Sequence, residues 1–213
     1  MAVPTFPNRS EIKAGSSLVA VDADGATTYR YEPTQFSPTP VWDQKQGYSH
    51  DEREQITLES VGSPVFGEFN VTTEIRSPID RVFEYVGDVR TLPEYADFVS
   101  RLDIVSEETR GEDVVFEQYR PGSDEPILTE FLTYVPNEEL EWVTHKRDGD
   151  IRVGYWFEPT ETGTRVYHAG VCALADTSPS AFSSDLRALI DRYESNEAEM
   201  TTLRSILEDR SDV

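Results

Sequence analysis

The chain has 213 residues, 37% hydrophobic and 28% charged, which suits one packed core with an appendage and excludes wholesale disorder. Its 41 acidic against 19 basic side chains leave a formal charge of −22, which argues against a direct grip on nucleic-acid phosphates. No run approaches the ~20 apolar residues of a bilayer span, and Met1 to Ser10 lack a basic-then-apolar export signal, so no transmembrane segment and a cytoplasmic location are expected.

Residues 1–65 read as an irregular, Pro-rich extension, since Pro4, Pro7, Pro33, Pro38, Pro40 and Pro64 fall within it and no helical period survives more than a turn or two. Within it, Leu18 to Val21 and Thr27 to Tyr31 flank Asp24-Gly25, a dipeptide suited to a tight turn, so a short hairpin is expected there. Gln35 to Glu54 reads as irregular. From Phe66 the pattern changes. Phe69, Val71, Thr73 and Ile75 alternate with mostly polar residues, predicting a half-buried strand over Gly67 to Arg76. Ser77-Pro78 then supplies an N-cap and a first-turn proline for a helix ending near Gly87, built on Ile79, Val82, Phe83 and Val86. A second short helix is expected over Leu92 to Phe98, capped by Thr91.

Six strand-length runs follow: Leu102 to Ser106, Asp113 to Tyr119, Ile127 to Tyr134, Leu140 to Lys146, Arg152 to Glu158 and Arg165 to Leu174. Gly111, Pro121-Gly122, Pro136-Asn137, Asp148-Gly149 and Thr162-Gly163 fall between them at hairpin distances, so successive strands should pair antiparallel. Ser178-Pro179 repeats the cap-plus-proline signal. Phe182, Leu186, Leu189, Ile190, Tyr193, Met200, Leu203 and Leu207 then form one apolar stripe, predicting a long amphipathic helix, with 209–213 as a tail. Asn196 and Glu197 interrupt the stripe, which fits either a kink or a turn facing a cavity or solvent.

This order of elements resembles the START-like (SRPBCC) superfamily, which includes polyketide cyclases, coenzyme Q-binding proteins and plant allergen-type carriers. The resemblance covers residues 66–208. It is carried by FNVTTEIRSPIDRVFEYVGDV from Phe69 to Val89, by Leu92-Pro93-Glu94-Tyr95, and by Phe157-Glu158-Pro159-Thr160 with Gly163-Thr164-Arg165-Val166. It implies an α+β, helix-grip fold: a curved antiparallel sheet around the long C-terminal helix, with a cavity between them for a lipid, quinone, sterol or aromatic polyketide. Ser77, Pro78 and Asp88 are explained by capping and turn formation and receive no catalytic role. The acidic, lysine-poor composition, with only Lys13, Lys45 and Lys146, separately resembles the proteins of salt-loving archaea.

No nucleophile elbow or phosphate-cradling glycine loop is present. The only histidines, His50, His145 and His168, have no second ligand at metal spacing, so no metal and no cofactor are expected. The lone Cys172 cannot form an internal disulfide and reads as a packed residue.

Strand alternation nominates Phe116 and Gln118, Phe131 and Thr133, Trp142 and Thr144, and Tyr155 and Phe157 as inward-facing, with His145 outside. The last strand is ambiguous: either His168 with Gly170, or Tyr167 with Ala169, faces in. The aromatic members are read as a wall for a hydrophobic ligand, with Gln118, Thr144 or His168 supplying orienting hydrogen bonds. The expected function is binding or transport of a hydrophobic small molecule. One alternative is a cyclase or dehydratase using His168 or Tyr155 as acid or base; a second is a protein-interaction module.

Overall fold

A computed structural model describes residues 17–22, 27–31, 64–146, 150–173 and 179–209, with side chains described over 70–146, 150–170 and 194–209. Among the described residues, nine strands form one antiparallel sheet. They are β1 (Ser17–Asp22), β2 (Thr27–Tyr31), β3 (Pro64–Ile75), β4 (Arg101–Ile104), β5 (Val115–Tyr119), β6 (Ile127–Val135), β7 (Glu139–Thr144), β8 (Ile151–Pro159) and β9 (Thr164–Ala173). Their spatial order is β2-β1-β3-β9-β8-β7-β6-β5-β4. Strands β4 to β9 run as a meander, each pairing with its successor as the short turns predict. Beyond the meander, β9 pairs with β3 over ten positions.

The turn chemistry is visible in the backbone: Gly111, Gly122 and Asn137 all adopt positive φ, at 110°, 75° and 63°. Asp148-Gly149, Asp24-Gly25 and the Gln35 to Glu54 segment lie outside the described residues. At the β8–β9 turn, a Cβ on Gly163 would stand 2.1 Å from the Ile75 carbonyl oxygen, so only glycine lets this hairpin close against the end of β3. Strands β1 and β2 pair antiparallel, and β1 pairs in turn with β3. The sheet therefore begins well before residue 66, and β3 itself starts at Pro64.

Helix α1 (Ile79–Val86) buries Val82, Phe83 and Val86. Its expected serine cap is not made: the residue before the helix is Pro78, and Ser77 Oγ is buried with no hydrogen-bond partner among the described residues. A 3-10 turn (Val89–Thr91) leads into the one-turn helix α2 (Leu92–Tyr95), shorter than the expected Leu92 to Phe98. Thr91 stands at the N-cap position of α2, as expected, but its side chain makes no capping bond, its hydroxyl donating instead to the Tyr85 and Asp88 carbonyls; the side-chain cap is one turn earlier, where Asp88 accepts from Arg90 N at 3.1 Å. Asp88 takes the capping place because its carboxylate reaches the orphan N–H of the turn while also holding Arg90 and Arg110.

Helix α3 spans Pro179–Asp209, 31 residues, so the helix runs one residue into the expected tail. Met200, Leu203 and Leu207 are each at most 1% exposed and join the core with Val71, Ile75 and Val82. Burying each contributes about 1.5–3 kcal/mol. Ser178 and the side chains from Phe182 to Tyr193 lie outside the described residues. Among the described residues, no helix is long and apolar enough to cross a membrane.

Candidate functional site

Alternation along the strands sets which side chains meet beneath α3. The pairs Phe131↔Trp142, Trp142↔Val153, Leu140↔Tyr155 and Tyr155↔His168 face one another across β6 to β9 on the helix side. The β9 ambiguity is thereby resolved: His168, level with Tyr155, faces in, while Tyr167 and Ala169 cluster with Trp156 on the other face. A row of rings crosses five strands, with centroid separations of 6.5 Å for Phe116–Phe131, 5.4 Å for Phe131–Trp142, 5.1 Å for Trp142–Tyr155 and 4.1 Å for Tyr155–His168. The last pair is stacked, with 26° between planes.

Of the nine nominated residues, Gln118, Trp142, Thr144, Tyr155 and His168 meet at one hollow, together with Leu92, Phe98, Val153, Asn196 and Glu199. Phe116 and Phe131 lie deeper, around a second gap shared with Val86 and Tyr95 that has no room for a water molecule. Phe157 packs edge-on against Phe83 at 5.3 Å. These three are core. Thr133 is a correction. A β-bulge between Phe131 and Thr133 shifts the register, so Thr133 pairs with Glu141 on the outer face while Tyr134 turns inward against Phe131 and Phe83. One extra residue reverses the alternation downstream of it.

The hollow itself differs from the apolar cavity expected. Its free volume is about 20 Å³, room for about one water molecule. One flank is polar. Gln118 Nε2 donates to Thr129 Oγ1 at 3.0 Å and to Thr144 Oγ1 at 3.3 Å, linking β5, β6 and β7. His168 Nε2 donates to Asn196 Oδ1 at 2.8 Å, and the Tyr155 hydroxyl donates to Glu199 Oε1. His168 Nε2 also lies 3.9 Å from Glu199 Oε1, with both side chains at most 2% exposed. Burial, together with the nearby Glu199 charge, pushes the Tyr95 phenol well above its ordinary range.

Asn196 and Glu199 were not nominated from the sequence. The signal for Asn196 was present: it stands four residues before Met200, in phase with Leu203 and Leu207, so a polar residue occupies the buried stripe. Glu199 carried no comparable mark. His145 is outside, as expected, held by Glu130 at 3.0 Å and Asp150 at 3.2 Å. Burial lowers its pKa, but the two carboxylates outweigh that and leave it raised. Among the described residues, no group of three or more His, Cys, Asp or Glu could hold a metal ion.

A family profile described as polyketide cyclase / dehydrase and lipid transport matches residues 67–199, more than half of the chain. No curated protein matches. Among solved structures, the chain is similar to the di-domain ARO/CYC StfQ from the steffimycin biosynthetic pathway, with a TM-score of 0.56 and 15% identity over 79% of this chain and 57% of that one. It is similar to the Zhui aromatase/cyclase from a Streptomyces species (TM-score 0.54, 12% identity, 68% of this chain and 96% of that one). A protein of Thermus thermophilus is also similar (TM-score 0.53, 20% identity, 68% and 99%). At these identities the likeness is one of fold.

Proposed function

This chain belongs to the polyketide cyclase / dehydrase and lipid transport family, and from that premise we propose that it binds a small, largely hydrophobic molecule between the sheet and α3, in a helix-grip arrangement. The observation that carries this reading is the hollow beneath α3, where Trp142, Val153, Leu92 and Phe98 offer apolar surface and Gln118, Thr144, Tyr155 and His168 offer hydrogen bonds. Phe116, Phe131 and Phe157 back this wall. About 20 Å³ is far below the roughly 300–1,000 Å³ of an ordinary ligand site, so binding requires the α3 turn or the flanking rings to move. Residues 66–208 are the working domain in this reading, with the first 65 as an accessory segment that lengthens the sheet. The −22 charge is read as adaptation to a salt-rich cytoplasm.

A second reading is favoured by the Tyr155–Glu199 bond beside His168: acid–base catalysis of the cyclase or dehydratase type, with these groups moving a proton at a bound carbonyl. Native mass spectrometry of the full chain, purified gently from its own host, tests the primary proposal. A reproducible one-to-one mass increment from a small organic molecule is expected. Protein that carries none, and gains none when incubated with the host's lipid and aromatic extract, would overturn it.

A further inference from the structure

The outer face of the sheet is covered over β7, β8 and β9. Asn70, Glu139, Glu141, Trp156, Tyr167 and Ala169 all point away from α3, yet each is at most 8% exposed. Trp156 shows this most directly. Its ring lies across Gly154, where an added Cβ would stand 2.3 Å from it, so one ring face rests on the backbone and the other looks outward. Burial of the whole side chain means that this second ring face is covered too. The cover has edges: on β6 the same face is open, with Leu128 41% exposed, and farther along β3 and β9 Glu74 and Arg165 are open as well. Helices α1, α2 and α3 do not supply it, since their buried residues join the core on the opposite face. The cover therefore comes from chain outside the described residues.

Two stretches are long enough, residues 1–16 and 32–63, and charge and connectivity choose between them. The covered patch is acidic. Glu139 and Glu141 share it with Arg152, which donates to Glu141. Burial, opposed by Arg152 and reinforced by Glu139, raises the Glu141 pKa, so a further cation over the patch is stabilising. Residues 32–63 hold six carboxylates, from Glu32 to Glu59, against Lys45 and Arg53, whereas residues 1–16 hold Arg9 and Lys13 against Glu11 alone. Residues 32–63 also join β2 to β3, which run parallel with β1 between them, and such connections are right-handed. The β3-to-β4 connection joins parallel strands in the same direction across the sheet, and it carries α1 and α2 on the α3 face. Handedness thus assigns residues 32–63 to that face as well. Residue 16, by contrast, precedes Ser17, which pairs with Asn70 at the margin of the covered patch.

We propose that residues 1–16 dock on the outer face of β7 to β9, with Val3 and Phe6 over Trp156 and Ala169 and with Arg9 and Lys13 over Glu139 and Glu141. The chain ahead of β1 is then a second layer on a face that would otherwise open Trp156 and Tyr167 to water. Reach is ample. Strands β3 and β7 stand about 14 Å apart, at about 4.8 Å per neighbour, and sixteen extended residues span up to about 50 Å.

Photocrosslinking of the full chain tests the proposal. With Phe6 replaced by p-benzoylphenylalanine, irradiation and peptide mass spectrometry are expected to place the adduct within residues 139–143 or 152–169 of the same molecule. An adduct elsewhere, an adduct that joins two chains, or none at all overturns it. Hydroxyl-radical footprinting gives an independent readout. Trp156 is expected to oxidise several-fold faster in the triple variant Phe6→Asp, Arg9→Glu, Lys13→Glu than in the parent, with the interior Trp142 unchanged. A Trp156 rate that does not rise in that folded variant overturns the assignment. A rise seen only in Trp42→Ser, Lys45→Glu, Arg53→Glu overturns it in favour of residues 32–63. Circular dichroism decides which variants fold; should the first triple variant fail, the position of the adduct alone decides.

Discussion

Asp88 serves three groups with one carboxylate: it caps the 3-10 turn through Arg90 N, holds the Arg90 guanidinium at 2.8 Å and takes Arg110 at 3.1 Å. The Arg90 side-chain hydrogen bond, helped by Arg110 and opposed by burial, brings its pKa down from 3.8 to about 2. A carboxyl depressed in the folded state stabilises above its unfolded value and loses that contribution as the pH falls from about 3.8 through about 2. Arg90 and Arg110 are 60% and 47% exposed, so screening reduces the effect to about 1–2 kcal/mol. Asp88→Asn is therefore expected to cost about that much at pH 7, with the gap to the parent closing near pH 2 in paired urea melts. A gap that stays constant with pH removes the ionic account. Tyr155 gives a second residue-scale prediction. Tyr155→Phe keeps the stacked ring but leaves the buried Glu199 without its hydroxyl donor, so a loss of about 1–3 kcal/mol in urea melts is expected. An unchanged midpoint would show that the bond carries no net stability.

Helix α3 is anchored in two chemically different ways over successive turns. Met200, Leu203 and Leu207 dock by apolar burial, while Asn196 and Glu199 dock by hydrogen bonds to β9 and β8. Leu203→Ala is expected to cost about 2–5 kcal/mol by leaving a cavity under the helix, whereas Thr202→Ala, on the exposed side, should stay within about 0.5 kcal/mol in the same denaturant series. Comparable losses at the two positions would mean that the helix face is misassigned. The same contrast explains what the sequence discloses and what it hides. Strands β4 to β7 were readable because turn residues punctuate them and alternation survives on β5 and on β6 up to the bulge. The facing of β9 was not, because it is buried on both faces, Tyr167 and Ala169 at most 4% exposed outside as Val166 and His168 are inside; β8 is buried likewise, but its charged ends, Arg152 and Glu158, still mark the outer face. With no wet face, the period-two signal vanishes. The bulge before Thr133 escaped for another reason: an unpaired residue within a run of strand formers leaves no compositional mark. Glu199 escaped because its buried partners, Tyr155 and His168, are tens of residues away in the chain.

At the scale of the molecule, the sheet joins segments from both ends of the chain: β9 pairs with β3, and β3 with β1. The charge is spread just as widely, in pairs such as Glu107-Glu108 and Glu138-Glu139 rather than in blocks. A charge of −22 compressed into a folded domain repels itself more strongly than the same charge on an expanded chain, so self-repulsion favours unfolding. Raising potassium chloride from about 0.1 to about 1 M shortens the screening length from about 10 to about 3 Å and removes most of that repulsion between exposed carboxylates. The melting temperature is expected to rise across this step by about 5 °C or more, equivalent to about 2 kcal/mol for a chain of this size. The pH separates charge screening from a general salting-out of apolar surface. The isoelectric point is about 4.4, so at pH 5 much of the net charge is gone and the same salt step should raise the melting temperature far less than at pH 7.5. A melting temperature that is flat in salt at pH 7.5, or that rises equally at both pH values, would remove self-repulsion as the force this composition manages.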